Sequence, residues 1–369
     1  MGPRGRTGRV THYRNRMRRP RLTPAVADTR RAVRDSLAGL PEGALVLVAL
    51  SGGPDSLALA AALAFEGPRA GMRSGAIIVD HGLQEGSAVV AERAADAARG
   101  LGLDPVEVRR VEVVDTGEGA EAAARSARYT ALDAALLAHD AAAVLLGHTL
   151  DDQAETVLLG LARGAGAASL RAMASVAGDR RRPFLELRRA TTVAACTDQG
   201  LEPWADPHNA DPAFLRVRVR QSVLPVLEAE LGPGIAEALA RTAAQLREDA
   251  EALDAMAAEV AEDLVMVGAD PVTEEPYPGG GISLPVAALA ANPAALRHRL
   301  IRLVVAAEFG RSLSRRHTLE VARLVTDWRG QGPIDLPGVQ VRRVAGLLVF
   351  TADDPAPDAA PAAPPSREQ

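Results

Sequence analysis

A glycine-rich turn joins an apolar run to a helical pattern near the start of the chain. The apolar run covers residues 45–50, and the residues that follow it are Ser51, Gly52, Gly53, Pro54, Asp55 and Ser56. Glycines let backbone amides approach an anion closely, and the following helix presents its positive N-terminal end at the same point. An ordinary turn with a helix cap is the alternative interpretation. The position between strand and helix favours a phosphate site.

A second cluster of polar side chains follows another apolar run, at residues 144–147. Its members are His148, Asp151, Asp152, Gln153 and Glu155. Asp152 and Glu155 are three residues apart, so on a helix they share one face, where two carboxylates can bracket an ammonium group. Acidic residues also suit a helix N-terminus, which makes capping the alternative. Capping does not account for His148 and Gln153 at the same place.

A third group ends the apolar run at residues 76–80. Val79, Asp80 and His81 fall at the carboxyl end of this run, where an adenine could be bound beside the glycine-rich turn. The alternative is that Asp80 and His81 only end a strand and cap the next helix.

A charged helical face is predicted further along the chain. Glu121, Arg125 and Arg128 are spaced four and three residues apart, so on a helix they lie on one side. A solvent-exposed ion pair, which is common on helices, is the alternative to a functional role.

All 42 basic residues are arginines, because the chain contains no lysine. A lysine-dependent phosphate loop and Schiff-base chemistry are therefore excluded. The single cysteine, Cys196, cannot form an internal disulfide or a cysteine metal cluster, and we expect it to be a small buried residue. Any bound phosphate must be held by backbone amides and arginine.

These polar groups require elements that bring them together. Short Val, Leu and Ile runs alternate with Ala-rich helical patterns, and the strands are predicted at 45–50, 76–80, 106–114 and 144–147. Helices are predicted between them, near 55–66, 86–100 and 118–139. This alternation indicates an α/β fold with a doubly wound parallel sheet, in which ligands bind at the carboxyl ends of the strands.

The remainder of the chain has a different pattern. Beyond about residue 225 helical patterns replace strand signals, and they include helices predicted at 284–308 and 314–327, a loop at 267–282 and a small antiparallel sheet within 334–350. The predicted divisions are a disordered basic arm at 1–24, a catalytic domain at 25–222, a mainly helical domain at 223–352 and a disordered tail at 353–369.

Charge is distributed unevenly along the chain. The formal net charge is −5, but residues 1–34 hold eleven arginines and one acid, and a second basic stretch, RRRPFLELRR, covers 180–189. Either stretch could meet a polyanion. The sequence has no apolar run of membrane-spanning length and no signal-peptide pattern, so a cytoplasmic protein is expected.

The glycine-rich turn resembles the SGGxDS loop of the N-type ATP pyrophosphatase superfamily, whose members cleave ATP between its α and β phosphates. The resemblance implies that the turn holds the leaving pyrophosphate while the adenylyl group is transferred to an oxygen of the acceptor. It also implies a nucleotide site made of Ser51, Gly52, Gly53, Pro54, Asp55, Ser56, Val79, Asp80 and His81.

The segment HTLDDQAET resembles the HHxDDQxET signature of the tRNA(Ile)-lysidine synthetases. The resemblance implies that Asp152 and Glu155 bind free lysine and that His148 faces an activated base. The charged helical face is similar to that family as well, which implies that Arg128, in preference to Arg125, neutralises the ATP phosphates. The implied catalytic residues are Asp55, Arg128, His148 and Asp152.

A later segment, WADPHNADPAFLRVRVR, also resembles this family, and its matching residues are Asp206, Asn209, Arg216, Arg218 and Arg220. The resemblance implies tRNA contacts by these three arginines and by Arg163, which lies in a loop similar to the family's RGxG. A solvated face is the alternative, since residues at alternate positions share a side only in an extended chain. The chain departs from the family pattern at Thr149, where a second His is usual, and at Val217, where Asn is usual.

The resemblance implies a two-step reaction. ATP adenylates the C2 oxygen of the wobble cytidine in an isoleucine tRNA with a CAU anticodon, and the lysine ε-amine then displaces AMP to form lysidine. ATP and Mg²⁺ are the implied cofactors, no metal ligands are identified, and a homodimer is considered for the assembly.

Three alternatives are weighed against this function. A related tRNA thiolase would need several cysteines, and the chain has one. Relatives that make NAD, GMP or asparagine carry glutaminase or other partner signatures that this sequence lacks. The third alternative is a nucleotide-regulated RNA-binding protein without catalytic activity, and ATP turnover dependent on lysine and tRNA would separate it from an enzyme.

Overall fold

The computed structural model of the protein describes residues 22–82, 86–113, 119–164, 166–267 and 281–352. The chain forms two compact units that divide between Ala244 and Gln245. This division lies inside the helix Ile235–Leu264, whereas the sequence placed the boundary at residue 222. Most of the predicted basic arm, residues 1–21, and the predicted tail, 353–369, lie outside the described residues.

The first unit contains a six-stranded sheet with the order β3-β2-β1-β4-β6-β5. Its strands are parallel apart from β5, which runs antiparallel to β6. The bounds of these strands are β1 (Leu45–Ala49), β2 (Arg73–Asp80), β3 (Val106–Arg110), β4 (Ala141–Leu145), β5 (Val176–Ala177) and β6 (Arg180–Arg181). The predicted doubly wound parallel sheet is confirmed. The strand predicted to reach residue 114 ends at Arg110, and residue 114 itself lies outside the described residues.

Helices connect these strands. Their bounds are α1 (Pro24–Leu37), α2 (Pro54–Glu66), α3 (Ser87–Gly100), α4 (Ala120–His139), α5 (Leu150–Ala162), α6 (Ala167–Leu170), α7 (Arg189–Asp198), α8 (Leu215–Arg218), α9 (Leu224–Leu231) and α10 (Ile235–Leu264). A π-helical turn, Val219–Val223, joins α8 to α9. No helix in the described part of the chain is long and apolar enough to cross a membrane.

The helix α1 was not predicted, because its arginines dilute the apolar pattern. It begins after Thr23, whose side chain accepts a hydrogen bond from the Val26 amide, and it starts with Pro24, which suits the first position of a helix. Val26, Val33 and Leu37 are buried on one side. Their spacing matches one helical face, and this face packs into the core of the first unit.

The sheet is buried on both faces, as expected for parallel strands that read as continuous apolar runs. Val46 and Val48 of β1 point into a core shared with α1, α2, α3 and α7. Leu45 and Leu47, which alternate with them, point to the other face and pack with Leu132 of α4. Because helices cover both faces, the loops at the carboxyl ends of the strands are left to form the site.

The second unit packs helices against an antiparallel sheet. Its helices are α11 (Val286–Ala291), α12 (Ala294–Phe309) and α13 (Arg315–Thr326), and its strands are β7 (Met266–Val267), β8 (Gly281–Pro285), β9 (Ile334–Leu336), β10 (Val339–Val344) and β11 (Leu347–Ala352). The strand order is β7-β8-β11-β10-β9. The predicted small antiparallel sheet is therefore confirmed, although it has more strands than the sequence indicated.

The strand β8 corrects the sequence analysis, which started a helix at residue 284. A short apolar run can form a strand or part of a helix, and its periodicity cannot decide between them. Pairing with β11 decides here, since Ile282 lies opposite Phe350 and Leu284 lies opposite Leu348. Residues 268–280 of the predicted loop lie outside the described residues.

The two predicted polar loops of the first unit meet where the sheet changes winding direction. The strand β1 lies between β2 and β4, so the loops that follow β1 and β4 leave the sheet side by side. Gly147, after β4, comes so close to the glycine-rich turn that an added Cβ would lie 3.1 Å from the Ser56 amide nitrogen and from the Asp55 carbonyl carbon. A side chain at this position would push the loops apart.

We predict that Gly147→Ala weakens the binding of an ATP analogue by about tenfold or more, because small displacements of a binding loop are costly. Isothermal titration calorimetry measures the change. Gly100→Ala is the matched control, since a Cβ at Gly100 meets no atom within 4 Å. Equal affinities of the Gly147→Ala variant and the unaltered protein would show that the close approach is not needed for nucleotide binding.

Candidate active site

The glycine-rich turn is held by hydrogen bonds among its own residues. Ser56 Oγ donates to the Gly53 carbonyl (3.0 Å) and lies 3.1 Å from Ser51 Oγ, and the Ser51 amide donates to Ser56 Oγ (3.2 Å). Gly52 has a φ of 83°, which favours glycine. The helix α2 follows Gly53, which has no side chain to cap it, so the first amides of α2 are presented to a polyanion.

Neighbouring elements support this turn from outside. The Trp204 amide donates to the Gly52 carbonyl (2.9 Å), and the Cys196 thiol donates to the Pro54 carbonyl (3.3 Å). Cys196 is buried as predicted, and burial raises the pKa of its thiol to about 11, so the thiol stays protonated and keeps its donor. The turn is therefore fixed before any ligand binds.

The predicted adenine residues lie at the end of β2, next to the turn. Asp80 is buried, and its carboxylate accepts a hydrogen bond from the Gly82 amide (3.0 Å) just after β2, so it does not cap α3, whose N-cap is Gly86. His81 Nε2 accepts from Arg128 Nε (3.4 Å), so the proton of the neutral ring lies on Nδ1. Burial and the Arg128 charge lower the pKa of His81. Val79 is partly buried in the sheet.

The two predicted phosphate arginines on α4 have different surroundings. Arg128 reaches across to His81, whereas Arg125 stays on its own helix, 5.0 Å over the ring of Tyr129. Desolvation lowers the pKa of Arg128, and the charges of Arg125 and Arg216 lower it further. Arg128 is thus the arginine nearer to the nucleotide residues, within a group of like charges that suits an anion. The side chain of Glu121 lies outside the described residues.

The carboxylates of the two loops converge on one arginine that the sequence analysis missed. Arg189, the first residue of α7, donates from Nε to Asp55 (2.9 Å), from Nη2 to Asp152 (2.8 Å) and from Nη1 to Glu155 (3.5 Å). Thr192 also donates its hydroxyl to Asp55. Burial alone would lower the pKa of Arg189, but the three carboxylates raise it. Arg189 therefore neutralises charge from both loops at once.

Asp152 and Glu155 are brought together as predicted, and both already have guanidinium partners. Glu155 is fully buried and accepts two hydrogen bonds from Arg220, through Nε (2.7 Å) and Nη2 (3.1 Å). Arg220, predicted to contact tRNA, is thus engaged inside the protein. Burial raises the pKa of Asp55 despite Arg189 and Thr192.

Thr149, where the family pattern has a second His, positions Asp152. It is fully buried, and both its amide and its Oγ1 donate to Asp152 Oδ2, each at 2.8 Å. Burial acts to raise the pKa of Asp152, but Arg189 and these hydrogen bonds hold that pKa below its ordinary value. The threonine that replaces the usual histidine therefore donates a hydrogen bond to Asp152, which is predicted to bind lysine.

The other residues of the α5 cluster hold neighbouring segments. Gln153 exchanges two hydrogen bonds of 2.8 Å with the backbone of Met173, and Asp151 accepts from the Arg189 amide (2.7 Å). Arg188 lies 3.2 Å from Asp151 and 3.0 Å from Glu237. Gln153 and Asp151 thus fix the chain around the site, and Asp151 also lines the cavity described below.

His148 lies beside Asp152 in a largely desolvated position. Desolvation lowers the pKa of His148 to about 4; the charge of Asp152 opposes this shift, while those of Arg182, Arg125 and Arg128 add to it. The imidazole is therefore neutral at neutral pH. Its Nδ1 is buried and has no hydrogen-bond partner within the part of the chain that the structure describes.

The arginines of the basic stretch at 180–189 all have partners within the protein, which argues against the predicted surface for a polyanion. Arg182 is buried and donates to the Ala174 carbonyl (2.9 Å), and Arg180 pairs with Asp133. Arg181 donates to the Ser36 carbonyl, and the last two arginines of the stretch hold the acidic cluster. The partners are distant in sequence, so the local charge run gave the wrong indication.

The remaining predicted tRNA residues are dispersed. Arg163 is exposed at the end of α5, and Arg218 is exposed but donates to the Pro212 and Ala213 carbonyls (2.7 and 3.0 Å). Arg216 and Arg218 lie within α8, so they point in different directions, as the helical alternative predicted. Asp206 caps a short turn through the His208 amide (2.9 Å), while Asn209 is exposed.

A cavity of about 130 Å³ adjoins the acidic cluster. It combines charged groups with apolar walls, and its lining residues are Asp151, Glu155, Arg188, Arg220, Leu224, Pro225, Glu228 and Ala236. A cavity of this composition suits a small zwitterion with an aliphatic part.

Among the described residues, no group of three or more His, Cys, Asp or Glu side chains is arranged to hold a metal ion. Asp55, the carboxylate of the glycine-rich turn, has one oxygen bound by Arg189 and the other by Thr192. The described side chains therefore do not form a metal site by themselves.

We predict that the free energy of unfolding falls with pH between about 6.5 and 4 through His148. The pKa of His148 is lowered in the fold, so the unfolded chain binds the proton first and stability is lost as pH falls. Urea titrations give the decrease in the free energy of unfolding between pH 7 and pH 4.5. We expect this decrease to be about 2 kcal/mol smaller in His148→Gln than in the unaltered protein. The exposed His208→Gln serves as the control, and an equal loss in His148→Gln and the unaltered protein would contradict the assignment.

Comparison with known proteins gives the family. A model of the PP-loop domain matches residues 27–227, and a model of the TilS substrate binding domain matches residues 284–349. A tRNA(Ile)-lysidine synthase of Leifsonia xyli is 65% identical over 311 residues, which cover 84% of this chain and 91% of that protein. A tRNA(Ile)-lysidine synthase of Thermobifida fusca is 54% identical over 334 residues, or 89% of this chain and 98% of that protein.

A solved structure is similar in fold to part of this chain. It is a U34-tRNA thiolase from Methanococcus maripaludis with its [4Fe-4S] cluster, at a TM-score of 0.51 and 21% identity, covering 61% of this chain and 80% of that chain. At this identity the likeness concerns the fold alone. The family models and the close relatives together place the chain in the tRNA(Ile)-lysidine synthase family.

Proposed function

We propose that the protein ligates free L-lysine to C2 of the wobble cytidine in the CAU anticodon of isoleucine tRNA, with release of AMP and pyrophosphate from ATP. The observation that carries the proposal is the junction of a phosphate-binding turn with a buried pair of carboxylates, bridged by Arg189, in a member of the lysidine synthase family. The first loop serves ATP, and the second serves an ammonium compound.

In the first step the C2 oxygen of the cytidine attacks the α phosphate, and pyrophosphate leaves. We assign the amides at the start of α2 and the hydroxyls of Ser51 and Ser56 to the leaving pyrophosphate, which the hydrogen-bonded turn supports. We assign Arg128, supported by Arg125, to offset the negative charge on the phosphates, since it contacts His81 at the end of β2. In the second step the lysine ε-ammonium first releases a proton. The amine then forms a bond to C2, the bond between C2 and the adenylated oxygen breaks, and AMP leaves with that oxygen.

The charge of the acidic cluster supports lysine as the second substrate. Three carboxylates, Asp55, Asp152 and Glu155, face two guanidiniums, those of Arg189 and Arg220, so this group has a net charge of one negative. Free lysine carries one net positive charge at neutral pH. A neutral amino acid would leave one buried carboxylate without compensation, which is costly.

The cavity beside the cluster supports the same substrate. Arg220 lines it and can bind the carboxylate of an amino acid, while Leu224 and Pro225 offer an apolar wall to a methylene chain. We assign His148 to the cytosine ring, because an imidazole that is neutral at neutral pH adds no charge there. In this proposal Asp152 and Glu155 bind the lysine, and His148 contacts the cytosine base.

The proposed function also involves Mg²⁺, contacts to tRNA and a cytoplasmic location. Mg²⁺ would enter bound to the ATP phosphates, since this ion usually keeps phosphate and water ligands. Arg163, Arg216 and Arg218 are proposed to contact tRNA phosphates, and the protein is proposed to act in the cytoplasm. A homodimer remains a prediction.

The function is tested by incorporation of radiolabelled lysine into an unmodified isoleucine tRNA with a CAU anticodon. We expect incorporation that requires ATP, and a loss of about a hundredfold or more in Asp152→Asn, because a buried ionic contact to the substrate is lost. Asp96→Asn, which alters an exposed carboxylate paired with Arg99, is the control. Binding of ATP without any incorporation would favour another acceptor or the RNA-binding alternative.

We further predict that Thr149→Val raises the KM for lysine by about fivefold to tenfold, since it removes one hydrogen bond to a charged group and preserves volume. Thr149→Ser keeps the hydroxyl and should retain the KM of the unaltered protein. The acid limb of the pH profile should also move to higher pH in Thr149→Val, because the pKa of Asp152 rises when a donor is lost. Equal KM values for the two variants would rule out positioning by the hydroxyl.

A further inference from the structure

Arg189 joins two loops that would otherwise serve separate ligands. Its Nε binds Asp55 on the ATP side, and its Nη2 binds Asp152 on the lysine side, at 2.9 and 2.8 Å. Glu155 lies 3.5 Å from Nη1. The side chain of Arg189 is 21% exposed, and Glu155 is fully buried, so these ion pairs are only weakly screened by solvent.

We propose that Arg189 is a positioning residue that couples the two substrates, so that bound lysine raises the affinity for ATP and bound ATP raises the affinity for lysine. The proposal rests on the proposed function, since it takes ATP and lysine as the ligands of the two loops.

The sign of the coupling follows from one cation shared among three carboxylates. Without lysine, Arg189 divides its hydrogen bonds between Asp55 and the pair Asp152 and Glu155. A carboxylate at Asp55 that is only partly neutralised repels the phosphates of ATP. A lysine ammonium at Asp152 and Glu155 takes over part of their neutralisation, which leaves Arg189 to Asp55. The turn then binds phosphates more favourably.

The reverse effect follows from thermodynamic linkage. If lysine strengthens ATP binding by some factor, ATP strengthens lysine binding by the same factor. Phosphates in the turn draw the guanidinium of Arg189 toward Asp55, and Asp152 is then more open to a second cation. The two ligands therefore cooperate without any change in the fold.

The backbone of Arg189 can stay in place while its side chain redistributes these hydrogen bonds. Its amide donates to Asp151 (2.7 Å), which fixes the first residue of α7 independently of the guanidinium. Thr192, one turn later, holds Asp55 through its hydroxyl. A planar guanidinium with donors on three nitrogens can serve three carboxylates at once, which a lysine ammonium, with all its donors on one nitrogen, cannot do in the same geometry.

The coupling is measured by calorimetry with the full-length protein. The ligands are L-lysine and an ATP analogue with a methylene group between its α and β phosphates, which cannot be cleaved there. The dissociation constant of each is determined alone and in the presence of the other. In the unaltered protein we expect each ligand to bind about fivefold tighter or more in the presence of the other.

The variant Arg189→Gln separates coupling from a structural role. Removing the cation should make lysine bind more tightly on its own, because Asp152 and Glu155 lose a competitor, while the ATP analogue should bind more weakly. The factor by which each ligand changes the affinity of the other should fall to about one, as expected for two independent sites. If Arg189 had only a structural role, the variant would bind both ligands more weakly, and that result would overturn the proposal.

Arg189→Lys keeps the proposal testable if Arg189→Gln does not fold, as judged by its thermal unfolding. It retains the positive charge of the cluster but cannot bridge both loops, so we expect both ligands to bind with a coupling below about twofold. Full coupling in this variant would overturn the proposal. Arg299→Gln is the matched control, because Arg299 has an 18% exposed side chain, similar to that of Arg189, and pairs with Asp254 in the second unit, and it should keep the full coupling.

Two failures remain distinguishable. If the unaltered protein incorporates lysine into tRNA but binds lysine and the analogue independently, the coupling by Arg189 is wrong and the proposed function stands. If it neither binds nor incorporates lysine, the proposed function is wrong and this inference fails with it.

Discussion

The close approach of two acid-bearing loops is the constraint on which the rest of the site depends. The loop after β1 brings Asp55, the loop after β4 brings Asp152 and Glu155, and Gly147 shows that these loops touch. Carboxylates buried so close together repel each other unless a cation lies between them. Arg189 is that cation, so the loops can meet only because α7 delivers its first residue to this point.

The position of α7 depends in turn on the hydrophobic core. Ala195 and Cys196 of α7 are buried with residues of α1 and α2, on the face of the sheet that Val46 and Val48 also cover. Apolar burial of this kind fixes a helix without fixing its chemistry. The polar N-terminus of α7 is then anchored to the α5 loop through the Arg189 amide and Asp151. Packing in the core thus fixes the position of α7, and hydrogen bonds to the acidic residues of α5 fix its first residue.

The parts of the site with local signals could be predicted from the sequence. The glycine-rich turn and the DDQAET segment carry their chemistry within a few consecutive residues, next to strand and helix patterns that are equally local. Arg189 carried no such signal, because Asp55 and Asp152 lie 134 and 37 residues away along the chain. It stood in a basic stretch whose local pattern pointed to a polyanion, and only the tertiary fold reveals its acidic partners.

The same distinction explains the missed strand and the reinterpreted threonine. The run at β8 is short enough to fit either element, and its pairing with β11 joins residues far apart in sequence. Thr149 appeared as a missing histidine, although its hydroxyl and amide both donate to a carboxylate three residues later. A substitution within a motif can therefore preserve a contact by using different atoms.

Because the chain contains no lysine, the positive charges of the cluster are fixed. Guanidiniums stay ionised at any pH at which proteins fold, so Arg189 and Arg220 contribute two positive charges throughout. The pKa of Asp152 lies below its ordinary value and that of His148 is about 4, so neither group changes its charge near neutral pH. Free lysine keeps its ammonium over the same range, since such groups lose a proton only near pH 10. The cluster can thus distinguish lysine from neutral amino acids by the number of charges while Asp55 is ionised, and because burial raises the pKa of Asp55, this preference weakens as the pH falls.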